Sequence, residues 1–162
     1  MNPPAKLYFD DVRIGDEHRT PAITVTSTHV ALYGAVTSDA AVQAGMVPEL
    51  LPLCLSTGLG WRLSRPPLVV LAFMALEWHI LKALAVGDTI YSRARTVGKR
   101  TLREAGVVIE EHEIVDQRGD VVQRGRFTFL VGKRPARDAG AGSPSVGAGT
   151  VGAASQGGSH GS

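Results

Sequence analysis

Four stretches rich in strand-forming residues fill the second half of this 162-residue chain and leave it few ways to fold. After Arg65-Pro-Pro67 the apolar period changes to that of strands over 68–84, 88–97, 106–115 and 121–131. Gly98-Lys-Arg and Asp116-Gln-Arg-Gly-Asp120 separate the later runs and read as turns. In the last run Gly125, Phe127, Phe129 and Val131 share one face, opposite Arg124, Arg126 and Thr128. An apolar face that long needs something to cover it.

The cover is the segment 49–63, which is apolar nearly all round through Leu50, Leu51, Leu53, Cys54, Leu55, Leu59, Trp61 and Leu63. A helix of that composition is enclosed by other structure. Pro48 or Pro52 fits its first turn, where a missing N–H does no harm. Gly58 and Gly60 point to close packing or an early end. Upstream, Thr26 is a plausible N-cap for a short helix to about Val36, against which Gly34 counts. Residues 37–47 read as a loop punctuated by Gly45. The layout is α+β, one antiparallel sheet wrapped around one long buried helix.

Composition divides the chain. Residues 1–134 form one domain, and 135–162 are a Gly/Ala/Ser-rich tail with no charged residue after Asp138. Such a tail cannot bury enough apolar surface to offset the entropy of ordering it. A formal charge of +2, without a basic run interleaved with aromatics, argues against nucleic acid. The N-terminus has no apolar core for a signal peptide, and the apolar run 68–76 is far shorter than the roughly 20 residues a membrane helix needs. One cysteine, Cys54, excludes an internal disulfide and leaves no cluster for structural zinc. No glycine-rich phosphate loop lies between a strand and a helix, so no nucleotide cofactor is expected. A cytoplasmic protein without membrane contact fits these features.

Three segments carry a resemblance. Tyr8-Phe-Asp-Asp-Val-Arg-Ile-Gly-Asp16 opens the domain, Trp78-His-Ile-Leu-Lys-Ala-Leu-Ala-Val-Gly-Asp-Thr-Ile90 enters a strand, and Glu113-Ile-Val-Asp-Gln-Arg-Gly-Asp-Val-Val122 makes a hairpin. In this order, with the short helix, loop and apolar helix between them, they resemble the MaoC-like (R)-specific enoyl hydratase and dehydratase family. The resemblance spans residues 7–134 and implies the hotdog fold. The family's hydratase motif runs from an aromatic through a small residue and Asp to Asn-Pro-aliphatic-His. Tyr33, Thr37 and Asp39 match it, whereas Ala41, Val42, Gln43 and Ala44 stand in the last four places. The family's Ala-His-Gly at the helix start is replaced near Val47-Pro48-Glu49. Of the catalytic pair, only the aspartate carries over.

The resemblance implies an acyl thioester substrate, carried on coenzyme A or a phosphopantetheine carrier protein, with no other cofactor and no metal. Hydrating a trans-2-enoyl thioester needs an activated water at C3, a proton for C2 and a donor for the enolate-like oxygen. In the family a backbone N–H at the helix start serves that oxygen, which makes Tyr33, Pro48 and Leu50 the candidate substrate-binding residues. Asp39 is either the general acid/base or a turn residue accepting backbone hydrogen bonds. Glu49 replaces the missing base or complements the helix dipole. His29, one turn before Tyr33, is a substitute imidazole or a solvated residue. His79 alternates with Trp78, so one of the two faces the core. Cys54 reads as a packed thiol, His18 and His112 as surface residues, and His160 as part of the tail. Lys99, Arg100 and Arg103, or Lys133, Arg134 and Arg137, are solvated charge or a seat for coenzyme A phosphates or an acidic carrier.

An open sheet leaves an edge strand that needs covering, and hotdog domains pair their sheets with acyl sites at the interface. The chain is therefore expected as a homodimer, or as a heterodimer with a related hotdog subunit. Three functions stay open at this point: a hydratase or dehydratase with a rebuilt site, a non-catalytic subunit completing a His-bearing partner, and a thioesterase or specialised-metabolism enzyme on the same scaffold.

Overall fold

Long runs of β-branched and other strand-forming residues set the sheet. The computed structural model describes residues 5–135, so the expected tail from 136 onward lies outside the described residues. Four long strands follow one another: β3 (Val70–Ile80), β4 (Thr89–Thr101), β5 (Ala105–Asp116) and β6 (Val121–Gly132). Two short strands, β1 (Glu17–Arg19) and β2 (Ile23–Thr24), both pair with β4. The 6-stranded sheet runs β1-β4-β5-β6-β3, and every pairing in it is antiparallel. Asp116 shapes the β5–β6 turn as expected. Its Oδ1 accepts the N–H groups of Arg118 and Asp120 at 2.9 and 3.0 Å.

The expected turn at Gly98-Lys-Arg is not one. β4 runs on to Thr101, and the chain turns at 102–104, where the Leu102 N–H bonds the Ala105 carbonyl at 3.0 Å. Gly98 instead marks a bulge, since the β4–β5 register shifts between Thr96 and Gly98. A Cβ there would meet the Ile109 Cβ at 3.3 Å, so the glycine serves a close cross-strand approach.

Three helices lie between β2 and β3. α1 (Ser27–Thr37) is capped by Thr26, whose hydroxyl accepts the His29 N–H at 3.3 Å. Part of the expected loop is a short helix, α2 (Ala40–Gln43). The helix expected over 49–63 is shorter. α3 (Leu51–Gly60) has 10 residues, with Pro52 in its first turn and glycines at its end. It is not enclosed by this chain: Leu51, Leu53, Ser56 and Leu59 are buried, while Leu50, Cys54 and Trp61 are exposed, Trp61 at 82%. No helix among the described residues is long and apolar enough to cross a membrane.

Under α3, the side chains of Val25, Val30, Leu51, Ile90, Ile114 and Val122 make the main core. Burying each contributes about 1.5–3 kcal/mol for the larger residues. The inward face of β6 does cover α3, but only near Gln123, which bonds the helix entry. Farther along, Val131 packs on Phe9 and Val12, and Phe127 on the rings of Trp78, His112 and Phe73. The partner changes along the strand, and Val122 and Gln123 are buried side by side.

Two surfaces remain uncovered. β3 is an edge strand, and its Leu71, Phe73, Met74, Leu76 and Ile80 are exposed. The outer sheet face carries charge in registered rows. Glu17, Arg95, Glu111, Arg126 and Glu77 form one row across five strands. Arg19, Arg93, Glu113, Arg124 and His79 form the next.

Candidate functional site

The carboxylate of Asp39 is placed by the way α1 ends. The Thr37 hydroxyl donates to the Tyr33 carbonyl at 2.8 Å and accepts the Asp39 N–H at 3.3 Å. Ser38 then takes a left-handed conformation, φ 56°, and turns the chain. Asp39 caps α2, its Oδ1 accepting the Ala41 N–H at 2.9 Å. Gly34 allows this turn to close, because a Cβ there would sit 2.8 Å from the Val42 Cγ1. Asp39 is half-buried, and its Oδ2 has no protein partner among the described residues.

Tyr33 stands beside it. The ring packs against the main core. Burial, then the neighbouring Cys54 and Asp39, push its hydroxyl pKa up, so at neutral pH it remains an O–H donor.

The entry to α3 is held from the sheet. Leu50 at the N-cap makes no side-chain cap, and the Leu51 N–H bonds the Pro48 carbonyl at 3.1 Å. The Glu49 carbonyl accepts the Gln123 Nε2 at 2.7 Å. The Gln123 Oε1 accepts the Trp78 Nε1–H at 2.9 Å. In a planar trans peptide the C=O and N–H point opposite ways. The Leu50 N–H therefore faces away from β6, toward the open side. It has no protein acceptor among the described residues, nor does the Leu53 N–H.

Of the residues singled out in the sequence, the structure groups Asp39, Tyr33 and the start of α3 around one core cluster. Leu50 and the Glu49 side chain are exposed there, whereas Pro48 is fully buried and presents nothing to a ligand in this chain. His29 lies apart. Its Nδ1 accepts the Thr26 N–H at 3.2 Å in the first turn of α1, about 12 Å along the axis at 1.5 Å per residue from Thr37, where the helix ends before Asp39. His79 is on the outer sheet face, 3.2 Å from Glu77, while Trp78 takes the inward position. A hollow of about 960 Å³ on that outer face, between the rows of charge, includes His79 but not Asp39, Tyr33 or Glu49.

Three readings need correction. Cys54 is exposed, not packed, because it lies on the uncovered side of α3. His112 and His18 are not surface residues. The His112 ring stacks on Phe127 at 4.1 Å and its Nε2 lies 3.0 Å from the Glu110 carboxylate. His18, half-buried, is 3.3 Å from the Arg65 Nη2. Gln123, the residue tying the site together, was missed; a lone glutamine in a strand breaks no pattern. Among the described residues no group of three side chains is arranged to hold a metal ion.

No family model and no curated protein sequence matches the chain. Solved structures do. A monoamine oxidase regulatory protein from Archaeoglobus superposes with TM-score 0.72 at 24% identity, over 80% of this chain and 97% of that one. A MaoC-like dehydratase from Rhodospirillum rubrum gives 0.66 at 16% identity, over 80% and 99%. A Mycobacterium tuberculosis protein described as a double hotdog gives 0.62 at 17% identity, over 83% of this chain and 47% of that one. At such identities the likeness is one of architecture, and it agrees with an antiparallel six-stranded sheet that carries few helices: the chain has the hotdog fold.

Proposed function

We propose that the chain is an acyl-thioester hydratase or dehydratase of MaoC-like type, working with one carboxylate and no imidazole of its own. The observation that carries this reading is a free Asp39 Oδ2 and an unpaired Leu50 N–H on segments whose Tyr33, Val42 and Leu51 pack into one core cluster. The likeness to a dehydratase of the same fold supports it.

In the hydration direction the Leu50 N–H receives the thioester oxygen. Water attacks C3, the C2–C3 π pair moves toward the carbonyl, and negative charge builds on that oxygen, where a fixed donor counts most. Asp39 takes the proton that water releases and then delivers a proton to C2, so water is added across the double bond with no net change at the carboxylate. The Tyr33 hydroxyl, kept protonated, is suited to orienting the water. Glu49, exposed at the helix entry, is the second carboxylate in reach of an acyl chain lying there.

The test is hydration of a short trans-2-enoyl-CoA by the wild type and by Asp39→Asn. Asparagine keeps the cap on α2, so the fold is expected to survive while turnover falls about 100-fold or more. Full activity in the variant sinks the proposal.

A second reading has its own support. Both candidate imidazoles lie away from Asp39, and β3 is an open apolar edge. In this reading β3 pairs with the β3 of a related hotdog subunit whose histidine completes the site. Turnover that appears only on mixing with such a partner would favour it over the first reading.

A further inference from the structure

We infer that Gln123 is a positioning residue, whose buried carboxamide transmits the placement of edge strand β3 to the start of α3 and aims the Leu50 N–H. The inference rests on the reading of that N–H as the thioester-oxygen donor.

Gln123 is 2% exposed and follows Val122, a fully buried member of the main core, in β6. A buried carboxamide is destabilising unless its polar atoms are bonded. Both ends are used, and on different elements. An indole N–H can only donate, so the oxygen of Gln123 faces Trp78. A backbone carbonyl can only accept, so its nitrogen faces Glu49. The two partners fix the amide in one orientation, with no equivalent flipped state.

The helix entry depends on this contact. Leu50 supplies no side-chain cap, and Pro52 has no N–H to share. The Glu49 carbonyl would ordinarily accept the Leu53 N–H, four residues on, yet it accepts Gln123 instead. Without Gln123 the nearest donor is the Leu53 N–H. Turning the carbonyl toward it swings the whole Glu49–Leu50 peptide plane, and the Leu50 N–H turns with it. Trp78 belongs to β3, so whatever pairs with that edge acts on the same plane through the indole.

Two variants test this. Gln123→Met keeps the length and removes both bonds, and Trp78→Phe removes only the outer one. Hydrogen exchange at the bonded amides of Leu51 and Cys54 is expected to speed up about tenfold in Gln123→Met, against unchanged β4–β5 amides. Trp78→Phe is expected to move the same amides in the same direction by less, and it carries the test if Gln123→Met does not fold. In the active enzyme kcat for trans-2-enoyl-CoA is expected to fall about tenfold, with KM within about twofold, because the donor acts chiefly in the transition state. Unchanged exchange at Leu51 and Cys54 in the folded variants overturns the clamp. Faster exchange with unchanged kcat overturns the positioning role. A wild type without hydratase activity defeats the preceding proposal alone, and the exchange result then decides the clamp.

Discussion

A buried imidazole that accepts a hydrogen bond must stay neutral, and His18 is such a group. The Arg65 guanidinium can only donate, so the His18 Nε2 accepts. Burial first, then the charge of Arg65, bring the His18 pKa down from 6.5 to about 4, against an opposing pull from Glu110. His112 adds a smaller lowering effect. Glu110 goes the other way from what its burial alone would do. Burial raises its pKa, but the hydrogen bond with His112 and the nearby charges of His112, His18 and Arg65 hold it below the usual value. Between pH 6.5 and about 4 the unfolded chain binds a proton at residue 18 that the native state does not. Stability supplied by neutral His18 is therefore complete above 6.5 and is lost as pH falls toward 4. Denaturant midpoints at pH 7 and 4.5 are expected to diverge less in His18→Gln than in the wild type; equal divergence would count against the argument. None of this was legible from residue order. Glu110, Glu111, His112 and Glu113 are polar on both faces of β5, so the alternation that normally marks the inner side is absent.

Elements succeed or fail by the room they leave each other. Gly34 counts against a helix when only propensity is weighed, yet α1 runs straight through it. The reason is α2, which packs Val42 where a Cβ would have to go. Gly34→Ala gains helix propensity of about 1 kcal/mol but overpacks a close contact costing about 1–3 kcal/mol. The expected outcome is a lower thermal midpoint, restored when Val42→Ala is added, as calorimetry of the two single variants and the double would report. The four long strands were legible because β-forming residues fill them between turn signals, although buried and exposed positions alternate cleanly only along β4. The extent of β4 was not, since a bulge glycine and a turn glycine look alike in sequence. α3 ends at Gly60, among the glycines that point to an early end, but its enclosure was not legible. Leu50, Cys54 and Trp61 are apolar without being covered by this chain, and composition does not say which molecule covers a residue.

At the scale of the whole molecule the uncovered parts lie on the β3 edge and the outer side of α3. Exposed Leu71, Phe73, Met74 and Leu76 form a long apolar strand edge of the kind that soluble proteins pair or protect. We expect two chains to join there. Light scattering should give a dimer for the wild type and a monomer for Leu76→Arg, which leaves the backbone of β3 intact while adding like charge at the seam. An unchanged mass for the variant would place the contact elsewhere. The proposed site was legible to this extent: the motif names Asp39 and Tyr33, while Gln123 and Trp78 needed the fold to bring β3, β6 and α3 together. The outer face has a different consequence for assembly. Read across the sheet, the row Glu17, Arg95, Glu111, Arg126, Glu77 is a palindrome of charge. Neighbours within it attract, as pairs such as Arg126–Glu111 at 2.8 Å attest. Laid against its own mirror order in a second copy, however, the row sets carboxylate on carboxylate and guanidinium on guanidinium. A sheet so marked holds itself together sideways, and to a copy of itself laid in register behind it the row offers no charge partner.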